Sequence, residues 1–190
     1  IVVRLVGSEM CIRDRPNNRQ MRVISGILKG RKLFLPLDKN TRPLKDSTKE
    51  AIFNIIQHST KLNFNNKIKS VLDVFSGTGS FGLECLSRGS KEVYFVENYQ
   101  PAIKILKKNI VNLGLEKKCK IIDEDFLSKN IYKNLDKKFD LIFLDPPYNQ
   151  RNITILLNNI IKINFLQTDG LVIIHRHKKT KDFFPEKFYN

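Results

Sequence analysis

Short apolar runs alternate with amphipathic stretches through most of the chain. Runs rich in Val, Ile, Leu and Phe predict strands over residues 70–75, 92–96, 120–122, 139–144 and 171–174. Helices are predicted from the turn at 77–82 to about residue 89, and over residues 101–113 and 153–163. This alternation indicates an α/β fold with a mostly parallel sheet and helices on both faces. Ligands of such sheets bind outside the carboxyl ends of the strands, so the loops after the strands are where chemistry is expected.

The pattern before residue 62 predicts a hairpin followed by one helix. Residues 22–27 and 31–35 are expected to pair around Lys29-Gly30, and a helical pattern follows Pro43. The predicted apolar face of this helix consists of Ala51, Ile52, Ile55 and Ile56. We therefore expect a small appendage over residues 21–61 and an α/β domain over 62–190.

The first twenty residues, IVVRLVGSEMCIRDRPNNRQ, differ from the rest of the chain. They lack Met at the start and lack the apolar core of a signal peptide, whereas Met21 opens a plausible native start. We expect residues 1–20 to be a non-native extension, with a disordered native extension as the alternative. Neither interpretation gives them a function.

The charge of the chain is strongly positive. Lys and Arg number 34 against 19 Asp and Glu, a net charge of +15, and residues 21–61 hold nine basic and three acidic residues. This surplus favours a polyanionic partner, because each neutralised phosphate releases condensed counterions; a solvated basic surface is the alternative. No apolar run reaches the ~18–20 residues of a membrane span, so no membrane partner is expected. The three cysteines lack CxxC spacing, which disfavours zinc and disulfides and favours a cytoplasmic location.

A glycine-rich loop follows the first strand of the α/β domain. The segment from Asp73 to Gly82 contains GxGxxG, beginning at Gly77 and Gly79, and Glu97 follows Gly77 by 20 residues. Such a loop lets a ligand approach the backbone at a helix N-terminus, and a carboxylate after the next strand can bind ribose hydroxyls. Two ligands fit this pattern, a nicotinamide dinucleotide or S-adenosylmethionine, and a tight strand–helix turn that binds no ligand is the alternative. Asp73 favours the second ligand, because a carboxylate there suits a sulfonium cation and repels a pyrophosphate.

Two further residues are weaker cofactor candidates. Asp125 follows the third strand, where a carboxylate could accept a hydrogen bond from the amino group of adenine. A solvated acidic turn explains this residue equally well. Phe75 adjoins the glycine loop, where packing is favoured over stacking on the cofactor.

The fourth strand ends in Asp145-Pro146-Pro147-Tyr148. The prolines remove two backbone donors, so this segment presents a carboxylate and rigid carbonyl acceptors. An exocyclic nucleobase amine supplies matching N–H groups, and Tyr148 offers a face for base stacking. We expect these four residues to hold and orient a target amine, with a strand-terminating turn as the alternative.

His175 and His177 flank Arg176 after the fifth strand. A metal pair is disfavoured because no third ligand lies nearby in sequence, so no metal site is expected. RNA contact or solvation explains them better.

Four segments together resemble the bacterial small-subunit ribosomal RNA guanine-N2 methyltransferases, the RsmD family. They are MRVISGILKGRKL, TRPLKDSTKEAIFNII, VLDVFSGTGSFGLECLSRGS and FDLIFLDPPY. The resemblance implies a Rossmann-like class I methyltransferase that transfers a methyl group from S-adenosylmethionine to the 2-amino group of a guanine in 16S rRNA. It places the cofactor at Asp73, Gly77, Gly79, Glu97 and, more weakly, Asp125, and the target amine at Asp145 and Tyr148. It places RNA at Arg22, Lys29, Arg31, Lys32, Arg42 and Lys49.

This chain departs from the family at its C-terminus. The family continues into a further pair of strands, whereas this chain stops at KDFFPEKFYN. We therefore expect a truncated C-terminus and an unpaired sheet edge that promotes aggregation. The expected partner is small-subunit rRNA, free or in the 30S particle, and the expected state is a monomer. Alternatives are a DNA or RNA adenine-N6 or cytosine-N4 methyltransferase, a nicotinamide oxidoreductase and a non-enzymatic RNA chaperone.

Overall fold

The computed structural model describes residues 2–7, 21–36, 44–58, 67–128, 131, 135, 137–147 and 153–177. The strands are β1 (Val2–Gly7), β2 (Met21–Arg22), β3 (Lys32–Leu33), β4 (Ser70–Val74), β5 (Glu92–Glu97), β6 (Cys119–Asp123), β7 (Phe139–Leu144) and β8 (Leu166–His177). The helices are α1 (Asp46–His58), α2 (Ser80–Ser87), α3 (Gln100–Leu113) and α4 (Ile153–Lys162). None of the helices in these ranges is long and apolar enough to cross a membrane.

The main sheet confirms the predicted parallel α/β architecture. Its order among the described strands is β1-β8-β7-β4-β5-β6, and every neighbouring pair is parallel. The chain passes from β4 outward to β5 and β6 and then returns to the other side of β4 as β7. This reversal places a topological switch point between β4 and β7, where ligands of such sheets bind.

The two faces of the sheet carry separate apolar cores. On one face the core includes Phe53, Phe81 and Phe143, whose rings stack with centroids 5.2 and 3.9 Å apart along this series. On the other face α4 contributes Leu156 and Ile160. Helices therefore cover both faces, which explains the nearly continuous apolar runs of β4 and β7.

The N-terminal segment forms the predicted hairpin, but its strands are shorter. Met21 pairs with Leu33 and Arg22 with Lys32, whereas strands over 22–27 and 31–35 were expected. Beyond Val23 the chain leaves the ladder, because the amides of Ile24 and Ser25 donate to a carboxylate of α2.

The helix of this segment, α1, buries a different face from the one predicted. Ile52 and Ile56 are buried as expected, but Ala51 and Ile55 are exposed. Phe53 and Lys49 complete the buried face instead. The sequence-based prediction failed here because it assigned the lysine to the exposed face of the helix.

The far edge of β8 is paired, so the unpaired edge expected in this chain does not lie at β8; β1 is the outermost strand on this side of the described sheet, and the expected aggregation stays a prediction. Residues 2–7 lie along β8 in parallel, from Val2 opposite Val172 to Gly7 opposite His177. An open edge offers a row of unsatisfied amides and carbonyls, and the β-branched start of the chain supplies a strand that pairs with them. This strand falls within the predicted extension, for which no fold was expected.

Candidate active site at the carboxyl edge of the sheet

The glycine loop connects β4 to α2, and its glycines are required for two different reasons. Gly77 and Gly79 have φ of 54° and 80°, the left-handed region that favours glycine. At Gly82 a Cβ would lie 2.4 Å from the Phe95 ring and 2.7 Å from Val93, so glycine there lets α2 pack on β5. The predicted turn into a helix N-terminus is confirmed.

Phe75 is the residue where β4 enters this loop. It adopts a positive φ of 60°, a conformation that costs a bulky residue free energy and recurs at functional sites. Its side chain is partly buried against the core on the α4 side of the sheet. This location accords with packing, the interpretation favoured from sequence.

Glu97 ends β5 and hydrogen-bonds the backbone of the glycine loop. One carboxylate oxygen accepts the Gly77 amide at 2.7 Å, and the other accepts the amides of Asn98 and Tyr99 at 3.0 Å each. The side chain is half-buried. A carboxylate has about four lone-pair sites, so Glu97 retains acceptor capacity for ligand hydroxyls.

Asp73 lies under the loop and is 1% exposed. One of its oxygens accepts the Gly82 amide at 2.9 Å. Burial raises the pKa of Asp73 well above its ordinary value; the Gly82 hydrogen bond lowers it, and the charges of Asp145 and Glu97 raise it further. Three carboxylates therefore meet at adjacent strand ends, an arrangement that favours a cationic ligand and disfavours a pyrophosphate.

Asp145 follows β7 at the switch point. Its amide lies 3.4 Å from the Val74 carbonyl of β4, and its carboxyl Oδ1 lies 2.8 Å from His175 Nδ1. Pro146 is buried and Pro147 is exposed. Tyr148 lies outside the described residues, so its predicted stacking role stays a prediction.

Asp125 lies in the turn after β6 and is exposed. Its Oδ1 accepts the Leu127 amide at 2.9 Å. This bond accounts for the aspartate as a turn residue, and its adenine-binding role remains a prediction.

The predicted RNA contacts divide into three groups. Arg22, Lys29, Arg31 and Lys32 are exposed on the hairpin. Arg42 lies outside the described residues. Lys49 is fully buried, and its Nζ donates to the Arg22 carbonyl at 3.0 Å and pairs with Asp46 at 3.2 Å. A lysine without exposed charge cannot meet a phosphate, so the prediction for Lys49 is wrong.

Sequence reasoning missed a continuation of the basic surface onto α3. We define the α3–hairpin face by Arg31, Phe34, Lys104, Lys107, Lys108 and Val111, all of which are exposed. Lys108 Nζ lies 3.9 Å from the Phe34 ring centroid, and the Arg31 guanidinium donates to the Asn112 carbonyl at 2.9 Å. Three lysines without an acid in α3 were the available signal.

Two buried polar residues fix the hairpin to the domain. Glu84 of α2 accepts the amides of Ile24 and Ser25 at 2.7 and 2.9 Å, and it also pairs with Arg88. Asn109 of α3 bonds the backbone of Phe34 on one side and donates to the Thr78 carbonyl of the glycine loop on the other. Asn109 thus links the basic N-terminal segment to the glycine loop through hydrogen bonds.

Replacing Glu84 with Ala should lower the free energy of unfolding by about 3 kcal/mol. The change leaves two backbone amides and the Arg88 guanidinium without their shared acceptor. Chemical denaturation monitored by circular dichroism measures the loss, and Glu50→Ala, at an exposed acid of α1, is the matched control. Equal stabilities of the two variants would contradict this role for Glu84.

Comparison with known proteins agrees with this geometry. The family model described as conserved hypothetical protein 95 matches residues 21–188. The rRNA methyltransferase candidate YlbH of Bacillus subtilis (strain 168) is 34% identical over 162 residues, covering 85% of each chain. Ribosomal RNA small subunit methyltransferase D of Haemophilus influenzae is 30% identical over 182 residues, covering 91% of this chain and 88% of the relative.

A solved structure shares both fold and sequence with this chain. It is a methylase candidate from Haemophilus influenzae, which superimposes with a TM-score of 0.66 at 28% identity. The match covers 88% of this chain and 87% of that structure. The likeness therefore spans most of the length of both chains.

Proposed function

Because the chain belongs to the family described as conserved hypothetical protein 95, we propose that it methylates the 2-amino group of a guanine in small-subunit ribosomal RNA, with S-adenosylmethionine as donor. The chain has the Rossmann-like fold of class I methyltransferases, and its relatives named as rRNA methyltransferases support a methyltransferase activity. The rRNA substrate is supported by the names of its relatives.

The observation that carries the proposal is that Asp73, Glu97 and Asp145 lie toward the carboxyl ends of the adjacent strands β4, β5 and β7, next to the switch point. The buried Asp73, with its raised pKa, fits a ligand that brings positive charge, since such a ligand offsets the cost of the buried anion. S-adenosylmethionine brings both a sulfonium and an ammonium, and a nicotinamide dinucleotide brings a pyrophosphate that this cluster repels. The residues present therefore fit S-adenosylmethionine.

Asp73, Glu97 and the glycine loop would hold the cofactor, which when bound supplies an electrophilic methyl group. Asp145 has the geometry to accept an N–H of the target amine, because it directly follows β7 beside β4 and is only half-buried. That hydrogen bond orients the amine and raises the electron density on its nitrogen. The carboxylate can also take up the proton that the methylated amine releases.

The α3–hairpin face supports RNA as the polymer that presents this amine. Lys108 lies over the exposed Phe34 ring, and the other cations of this face are exposed on the same side of α3 and the hairpin. Cations that neutralise phosphates around an aromatic surface are typical of nucleic-acid binding.

Replacing Lys107 with Ala should weaken binding of small-subunit rRNA and lower the slope of log K against log salt by about 1, as expected for one lost phosphate contact. The Kd for S-adenosylmethionine should not change. Filter binding at several salt concentrations measures the slope. Lys162→Ala, at an exposed lysine of α4 on the opposite face, is the matched control and should leave the slope unchanged.

The proposed activity is tested with labelled S-adenosylmethionine, unmodified small-subunit rRNA and 30S particles, followed by mass identification of the methylated nucleoside. N2-methylguanosine is the expected product. A methylated adenine or cytosine would support the methyltransferase activity but show that the target base is not guanine. Asp145 can accept an N–H from the exocyclic amine of any of these bases. RNA binding without transfer to any nucleoside would favour the RNA chaperone.

A further inference from the structure

His175 of β8 bonds the Asp145 carboxylate. The β7–β8 register pairs Leu144 with Ile174, so the next residues, Asp145 and His175, lie together where β7 ends. His175 Nδ1 is 2.8 Å from Asp145 Oδ1, and both side chains are partly exposed, by 22% and 27%. The proposed chemistry of Asp145 alone gives this imidazole no role.

The contact constrains how the carboxylate is oriented. The last torsion of an aspartate side chain is broad, so an unsupported carboxylate samples many orientations. Nδ1–H can donate to Oδ1 both in the imidazolium and in the neutral tautomer with its proton on Nδ1. Among the described residues no group donates to Oδ2, so this oxygen is left as the acceptor for substrate.

The neighbouring residue of β8 supports the same loop. Arg176 is 5% exposed, and its Nη1 lies 3.5 Å from the Pro147 carbonyl. Because β8 extends past the end of β7, its last residues reach both the carboxylate and the proline segment of the loop that follows β7.

We propose that His175 is a positioning residue for methyl transfer: its Nδ1–H holds Asp145 Oδ1, so that Oδ2 faces the target amine. This inference rests on the proposed function, because it assigns Asp145 to the amine. It goes beyond that function in naming a residue of β8 on which the orientation of Asp145 depends.

The test compares His175→Leu with His175→Asn in the full chain. Asn places its Nδ2 at the branch position of the imidazole Nδ1 and keeps a donor, whereas Leu keeps bulk and removes the donor. We expect Leu to lower kcat by ~10-fold or more, since small misplacements of a reacting group are that costly. The KM values for cofactor and RNA should stay within about twofold, because in this role His175 acts through Asp145 and not on either substrate. Asn should recover at least about a third of the wild-type kcat.

Controls separate positioning from folding. Thr168→Ala changes an exposed residue at the other end of β8 and should leave kcat and the melting temperature unchanged. If His175→Leu does not fold, His175→Ala replaces it in the comparison with Asn.

The outcomes distinguish this inference from the proposed function. A donor-free variant with wild-type kcat, a change in KM alone, or equal loss in the Leu and Asn variants would each overturn the positioning role while the activity stands. A wild-type chain that transfers no methyl group to rRNA or to particles would overturn both.

Discussion

Replacing Asp145 with Ala will lower kcat for methyl transfer by ~100-fold or more, because removal of one preorganised contact to a reacting group typically costs that much. The Kd for S-adenosylmethionine should change far less than kcat does, since Asp73 and Glu97 remain and are the carboxylates of the cluster that bond the backbone of the glycine-rich segment. Single-turnover transfer and equilibrium cofactor binding measure the two effects separately. RNA affinity should also be preserved, because the α3–hairpin face is unaltered.

Asp169→Ala is the matched control for this prediction. It removes the same type of side chain from an exposed position early in β8, away from the carboxyl edge where Asp145 lies. This variant should keep the wild-type kcat. A kcat above one-tenth of wild type in Asp145→Ala would contradict the proposed hydrogen bond between Asp145 and the target amine, since the carboxylate would then not be needed to orient the amine.

The α/β domain could be predicted from sequence because its strands are buried on both faces and therefore read as apolar runs. The bounds of β7 were predicted correctly. β8 begins five residues earlier than expected, at Leu166 rather than 171. Its first part is Leu-Gln-Thr-Asp-Gly, which has no apolar run, and its pairing there includes a register shift opposite Phe139 and Leu141. Backbone pairing without an apolar pattern leaves no signal in composition.

The site was predictable in part, for a related reason. Residues at strand ends were found because strand order in an α/β fold brings carboxyl ends together, which placed Asp73, Glu97 and Asp145 correctly at one edge. Contacts between distant elements could not be found in this way. Lys49 and Asn109 are polar residues on helices, and only tertiary packing shows that both are buried and bonded to the hairpin backbone.

Asp73→Asn should make the ligand-free protein more stable at neutral pH while weakening cofactor binding by ~10-fold or more, as loss of a buried charge pair typically does. Burial, together with the charges of Asp145 and Glu97, raises the pKa of Asp73, so its ionised form is costly in the folded state. Asn can still offer an oxygen to the Gly82 amide without that charge. Each kcal/mol gained would raise the melting temperature by about 2–4 °C.

The raised pKa of Asp73 also predicts how the stability gain of Asp73→Asn depends on pH. Because the pKa of Asp73 is raised in the folded state, the folded protein binds the Asp73 proton more tightly than the unfolded chain does. The penalty for ionised Asp73 is therefore complete above the folded-state pKa and is relieved as the pH falls through it toward the unfolded value of 3.8. The stability gain of Asp73→Asn should therefore be larger at neutral pH than near pH 3.8 and should shrink on acidification. A gain that is independent of pH, or a loss of stability at neutral pH, would show that the carboxylate is not held at an electrostatic cost for the cationic cofactor.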